Sequence, residues 1–213
     1  MTGGNPYRAQ CRWLNLDAES FYQIIQEVQM QFTTHMNVDE GIALNEDLCE
    51  NLFMILISVL NQIPIFLIAK PGSSKSLAMG LVQSNLNGEA SDNEFLRSFP
   101  GVEIFSYQCS PLSTSNGIEQ AFESARRYNR DSPNTIVVVL LDEVKLAEQS
   151  PHLPLKVLHK VMEQSGPGES VVGITNWTLD PAKMNRAVHL YRPAPTVDDL
   201  SMTAEGKWFV LQI

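Results

Sequence analysis

The run IPIFLIAKPGSSKS, residues 63–76, decides the architecture. Ile63 to Ala69 is short, apolar and bounded by turn residues, as an interior strand should be. Lys70-Pro71-Gly72-Ser73-Ser74 reads as a loop, and Ser76 to Leu86 as a helix that Asn87-Gly88 stops. A strand, a small-residue loop and a helix in that order let main-chain N–H groups turn inward over a helix N-terminus, where the dipole favours an anion. Pro71, Gly72, Ser73, Ser74, Lys75, Ser76 and Leu77 would then surround a phosphate. The Lys75 ammonium would reach the outer phosphates of ATP, and the Ser76 hydroxyl would hold Mg²⁺. Against the pattern GxxxxGK[ST], Ala69 and Ser74 stand at the two glycine positions. The same residues also suit a plain Ser/Gly turn that caps a helix.

A second stretch speaks to that choice. TIVVVLLDE, residues 135–143, is a very apolar strand, suited to the centre of a sheet, that runs into two carboxylates. Asp142 would orient Mg²⁺ through water and Glu143 would polarise an attacking water, although acidic strand ends are common in α/β folds for other reasons. Between Lys75 and Asp142 there is room for a helix, a strand and a second helix. The two motifs together are much more specific than either alone.

Working outward, Val102 to Tyr107 is expected as another strand, with Ile118, Ala121, Phe122, Ala125 and Tyr128 marking one face of the helix that follows. Residues 88–100 read as loop, 155–164 as helix, Val171 to Thr175 as a fourth strand and Ala187 to Tyr191 as a fifth. Strands alternating with helices imply a mainly parallel sheet covered on both faces. Upstream, residues 17–33 suit a helix capped by Asp17, and residues 46–61 a helix apolar nearly all round, hence buried. Asn176 follows the fourth strand in VVGITNW, where an amide can hold the attacking water or the outer phosphate; a turn-forming Asn would also fit. Arg186, in LDPAKMNR, suits either a solvated surface or an arginine offered to a neighbouring module's nucleotide. Arg192 carries a weaker signal of the same kind.

Composition sets bounds. The 213 residues are 44% hydrophobic and 18% charged, enough for one α/β domain with flanking helix. The net charge of −9 argues against a general nucleic-acid binder. Cys11, Cys49 and Cys109 are scattered, with no CxxC pair, so they cannot build a zinc ribbon or RING finger. His35, His152, His159 and His189 form no metal-ligand pattern. The N-terminus lacks the apolar core of a signal peptide, and the apolar stretch 52–69 is broken by Asn61, Gln62 and Pro64, so no transmembrane segment is expected and the cytoplasm is the expected compartment.

Four stretches resemble the AAA+ core of the mysterin family, giant RING-containing E3 ubiquitin ligases with dynein-like AAA+ modules. They are NLFMILISVLNQIPIFLIAKPGSSKSLAM, EIFSYQCSPLSTSNGIEQAFESARRY, LLDEVKLAEQSPHLPLKVLHKVME and ITNWTLDPAKMNRAVHLYRPAP. The resemblance implies a P-loop NTPase fold, α/β, as an AAA+ large subdomain over residues 41–206. An N-terminal helical segment over 1–40 would precede it and a truncated tail over 207–213 would follow. Matched residue by residue, it gives Lys75 and Ser76 the phosphate and magnesium roles, Asp142 and Glu143 the Walker B roles, Asn176 the sensor 1 role, and Arg186 the place of an arginine presented to a neighbour. ATP, Mg²⁺ and neighbouring AAA+ modules are the implied partners; ubiquitination machinery would engage parts of such a ligase outside this chain. Ala69 and Lys145 depart from the family pattern, and no helical lid follows Gly206, so the chain resembles a fragment that turns ATP over slowly by itself. The competing expectation is a scaffold module that holds ATP without hydrolysing it. A P-loop small-molecule kinase fits less, because it has no counterpart to the motifs around Asn176 and Arg186.

Overall fold

The computed structural model describes residues 17–181 and 186–193, with 197, 200, 201 and 204. The chain divides into two units, Met1–Met36 and Asn37–Ile213. Of the first, the described part is helix α1 (Ala18–His35). Asp17 caps it as expected, its carboxylate accepting the N–H groups of Glu19 and Ser20 at 3.0 and 2.8 Å. Those bonds hold the Asp17 carboxyl below its usual range. The stretches 1–16 and 205–213, with Cys11 and the expected tail, lie outside the described residues.

In the second unit the chain runs α2 (Glu46–Leu60), β1 (Ile65–Ile68), α3 (Lys75–Asn85), α4 (Glu94–Arg97), β2 (Gly101–Gln108), α5 (Ser115–Asp131), β3 (Thr135–Asp142), α6 (Val144–Glu148), α7 (Leu158–Glu163), β4 (Glu169–Thr175) and β5 (Val188–Tyr191). All five expected strands form, in the order β2-β3-β4-β1-β5, and every pairing is parallel. The local readings needed three adjustments. Residues 88–100 are not all loop, because a 3₁₀ turn at Gly88–Ala90 and the single-turn α4 interrupt them. The helix expected over 155–164 is a 3₁₀ turn, Pro154–Val157, that passes into α7. Helix α6 had no periodic signal at all, since five residues are too few to show one.

Sheet alternation sorts the core. Phe66 and Ile68 of β1, Val137, Val139 and Leu141 of β3, and Val171 of β4 share a cluster with Ile118, Phe122 and Ala125 of α5 and with Val144, Ala147, Leu158 and Val161 of α6 and α7. Ile65 and Leu67 must point the other way, toward α2 and α3, which pack on each other behind the sheet. No residue of α2 from 47 to 60 is exposed, as its all-round apolar character required. Gly173 on β4 leaves room for the Phe66 ring: a Cβ there would come within 2.2 Å of it.

This topology leaves a crevice. After β1 the chain crosses β4 and β3 to build β2, while β5 lies on the other side of β1. In open parallel sheets such a reversal opens a cleft beyond the carboxyl ends of the strands. The loops after β1, β3 and β4 all emerge there.

Candidate functional site

A cleft of about 290 Å³ sits at those strand ends, lined by Pro71 to Leu77, Asp142, Glu143, Ile174 and Asn176. All seven loop positions singled out from the sequence line it, and so do both carboxylates and the amide. Ile174 is an addition, an apolar wall that no chemical motif announces.

Two residues of the loop take left-handed backbone conformations. Gly72 takes φ +87°, and a side chain added there would meet nothing within 4 Å, so its glycine answers to backbone conformation and not to crowding. Ser74, which opens α3, takes φ +56°, a left-handed conformation that a glycine adopts without strain. Ala69, at the other expected glycine position, needs no such conformation: among the described residues the non-glycine positive φ values belong to Gln62, Ser74, Glu143 and Leu153. A methyl group is therefore tolerated at 69, where the N–H donates to Thr175 O at 3.2 Å.

Lys75 is 6% exposed. Its ammonium donates to Ala69 O (2.7 Å), Lys70 O (3.0 Å), Ser73 Oγ (3.2 Å) and Asn176 Oδ1 (3.1 Å). Burial lowers its pKa, and the nearby Glu143 and Asp142 carboxylates oppose that shift. Asn176 is the hinge of the arrangement. Its Oδ1 receives Lys75, and its Nδ2 donates to Glu143 Oε1 at 2.6 Å. One amide thus ties the cation of the loop after β1 to the carboxylate of the loop after β3. Glu143 itself has φ +51°, and its N–H donates to Asp142 Oδ1 at 2.9 Å. That bond occupies one carboxylate oxygen of Asp142 and orients the other. The Ser76 hydroxyl and the Asp142 carboxylate both line the cleft and are hard oxygen donors, the set that Mg²⁺ takes alongside phosphate oxygens and water. Among the described residues no group of three or more His, Cys, Asp or Glu could hold a metal ion by itself.

Arg186 is not in the cleft. β5 starts beside Pro64, through Val188 N–H to Pro64 O at 2.8 Å, and runs parallel to β1. Arg186 therefore lies at the amino end of the sheet, opposite the loop, where it pairs with Glu163. Lys145, the other departure from the family pattern, is held by Glu148 on α6. Cys109 is 1% exposed, and burial, with Asp142 and Glu143 nearby, pushes its thiol up to about 12.

Two residues behind the loop stand out. Asn51 on α2 is fully buried and donates to Ser73 O at 2.7 Å. Arg192, after β5, faces Asn51 Oδ1 from Nε at 3.5 Å. The signal for Asn51 in the sequence was an amide beside the long apolar run Leu52–Ile57 of its helix.

The family model for the RNF213 AAA domain matches residues 41–199 of this chain. The E3 ubiquitin-protein ligase RNF213 of Mus musculus is 42% identical over 192 residues, covering 85% of this chain and 4% of that protein. Its Homo sapiens counterpart is 40% identical over 200 residues, covering 89% and 4%. The chain thus spans a small part of the curated relatives it matches. Among solved structures, the Aeropyrum pernix ORC2 protein, in ADPNP and ADP complexes, shares the fold with a TM-score of 0.51 at 15% identity, over 75% of this chain and 50% of that one. The expected AAA+ fold and the resemblance to giant RING ubiquitin ligases are both borne out. Among the described residues no helix is long and apolar enough to cross a membrane.

Proposed function

Because this chain belongs to the RNF213 AAA-domain family, we propose that it is an AAA+ module that binds ATP·Mg²⁺ and hydrolyses it, as one part of a large cytoplasmic ubiquitin ligase whose ligase chemistry is carried by other parts. The observation that carries this reading is the Asn176 amide joining Lys75 to Glu143 across the cleft. It brings a phosphate-compensating cation and a proton-accepting carboxylate into hydrogen-bonded register in one site.

In this reading the loop from Pro71 to Leu77 cradles the phosphates with its N–H groups, and Lys75 trades its internal oxygen partners for phosphate oxygens. Ser76 and Asp142 would hold Mg²⁺, which supplies charge neutralisation to the phosphates. Glu143 accepts the proton of the attacking water, and Asn176 orients that carboxylate and the water. Arg186, remote from its own cleft, serves the nucleotide of a neighbouring AAA+ module. The module in this reading spans residues 41–206, of which the family match covers 41–199. One observation favours the competing reading of a site that holds ATP without turnover: Ser74 bears a left-handed backbone without glycine's freedom.

Phosphate release and ATP titration on the 213-residue chain and on Glu143→Gln separate these readings. The hydrolase reading expects the variant to bind ATP as the parent does and to lose about 10²–10⁴-fold in rate, the usual worth of a positioned base. Equal phosphate release from both proteins rules out Glu143 as the base. A parent that binds ATP and still releases no phosphate when tethered to a neighbouring AAA+ module makes the holding site correct.

A further inference from the structure

Behind the phosphate loop lies a polar relay that the nucleotide chemistry does not use directly. Asn51 is fully buried among Leu48, Leu52 and Ile55 of the same helix. A carboxamide in such a place is costly unless its hydrogen bonds are met. Its Nδ2 donates to Ser73 O at 2.7 Å. Its Oδ1 faces Arg192 Nε at 3.5 Å. The Arg192 side chain is 12% exposed and pairs with Glu50 and, at 3.9 Å, with Asp47, both on α2. Its main-chain N–H donates to Ile68 O at 2.9 Å, at the root of the phosphate loop.

We propose that Asn51, oriented by Arg192, is a positioning residue that aims the Ser74 N–H at the phosphate; this rests on the nucleotide-site reading above. The reason is peptide geometry. In a trans peptide the carbonyl and the N–H point in opposite directions. Anchoring Ser73 O back to α2 turns the N–H of the same peptide, that of Ser74, outward to the cleft that Ser74 lines. Arg192 sets the amide's orientation. The two ends of a carboxamide are alike in shape, and a guanidinium accepts only the oxygen end as its neighbour. The nitrogen is then left facing Ser73. Arg192 also bridges β5 to α2 through Glu50 and Asp47, so the helix that carries Asn51 keeps its register against the strand that carries the loop.

The test is ATP·Mg²⁺ affinity, with unfolding midpoint in the absence of nucleotide, for the parent, Asn51→Asp, Arg192→Gln, the double variant and Lys75→Ala. Asn51→Asp keeps an oxygen for Arg192 and removes the donor to Ser73. Asn51→Asp and Arg192→Gln should each weaken ATP binding about tenfold or more, the worth of a misaimed Ser74 N–H bond to phosphate, and each should lower the nucleotide-free midpoint without unfolding the protein, because each leaves a buried partner unmet. The double variant should be less than additive, because both changes act on one peptide. Binding within about twofold of the parent's in either folded variant overturns the proposal. So does full additivity, and so does failure of both variants to fold, which would make the pair structural; if one alone fails to fold, the other decides. A parent that binds no ATP refutes the nucleotide-site reading itself. A parent that binds and a Lys75→Ala that does not, with both relay variants unaffected, refutes the relay alone.

Discussion

Replacing Lys75 by alanine gives the largest expected effect on nucleotide binding. In the structure its ammonium is buried and held by four oxygens, two of them main-chain carbonyls of the loop. Desolvation already works against the charge, and the two carboxylates beside it work in its favour. A phosphate at hydrogen-bond distance would add a charge-assisted bond worth about 1.5–3 kcal/mol, with a further electrostatic gain, since a unit pair at 4 Å is worth about 4 kcal/mol at an effective dielectric of ~20. After desolvation, a net loss of about 3–4 kcal/mol on truncation is reasonable, equal to about 10²–10³-fold in affinity. The assay is thermal unfolding with ATP·Mg²⁺ at about 100 times the parent's Kd, where ligand stabilises by about 2.7 kcal/mol. For a chain of this size each kcal/mol moves Tm by about 2–4 °C, so the parent should shift by roughly 5–10 °C. In the variant the same ATP concentration lies at or below Kd, and the shift should fall to about 1 °C or less. Equal ATP-induced shifts in parent and variant would refute the assignment of this loop to phosphate binding.

Three further outcomes follow from the same geometry. Ala69→Gly should change ATP affinity by less than about tenfold, or ~1.4 kcal/mol, because Ala69 needs no left-handed backbone; a larger gain by titration would mean that the alanine disables the site. Ser74→Gly should stabilise the nucleotide-free protein by about 0.5–1 kcal/mol, the left-handed cost of a side chain less the entropy glycine gains on unfolding. An unchanged or lower chemical-denaturation midpoint would contradict the φ of +56° at that position. Cys49 and Cys109 should resist alkylation at pH 8 in the folded protein and react on unfolding, since burial pushes their thiols up to about 11 and about 12; rapid native-state labelling of either would place it at the surface.

Much of the architecture was legible in the chain alone. IFLI at β1 and TIVVVLLD at β3 are apolar on both faces, and only an interior parallel strand buries both. The loop of small residues before Lys75 and the carboxylates after β3 carry their chemistry locally, so their order in the chain sufficed to propose them. What lies between elements was not legible. Helix α6 is too short to show a period. Arg186 and Arg192 are six residues apart and looked alike as exposed-arginine candidates, yet β5 puts them at opposite ends of the sheet. The strand is extended, so those few residues span its full length, and parallel pairing with β1 decides which arginine meets the phosphate loop. Asn51 and Ser73, and likewise Lys75, Glu143 and Asn176, are far apart in sequence and within hydrogen-bond reach only after the sheet has formed. Local patterns determined which elements form and which groups carry charge. The strand order decided which of those groups share a cleft, because such pairings depend on crossovers that no local periodicity encodes.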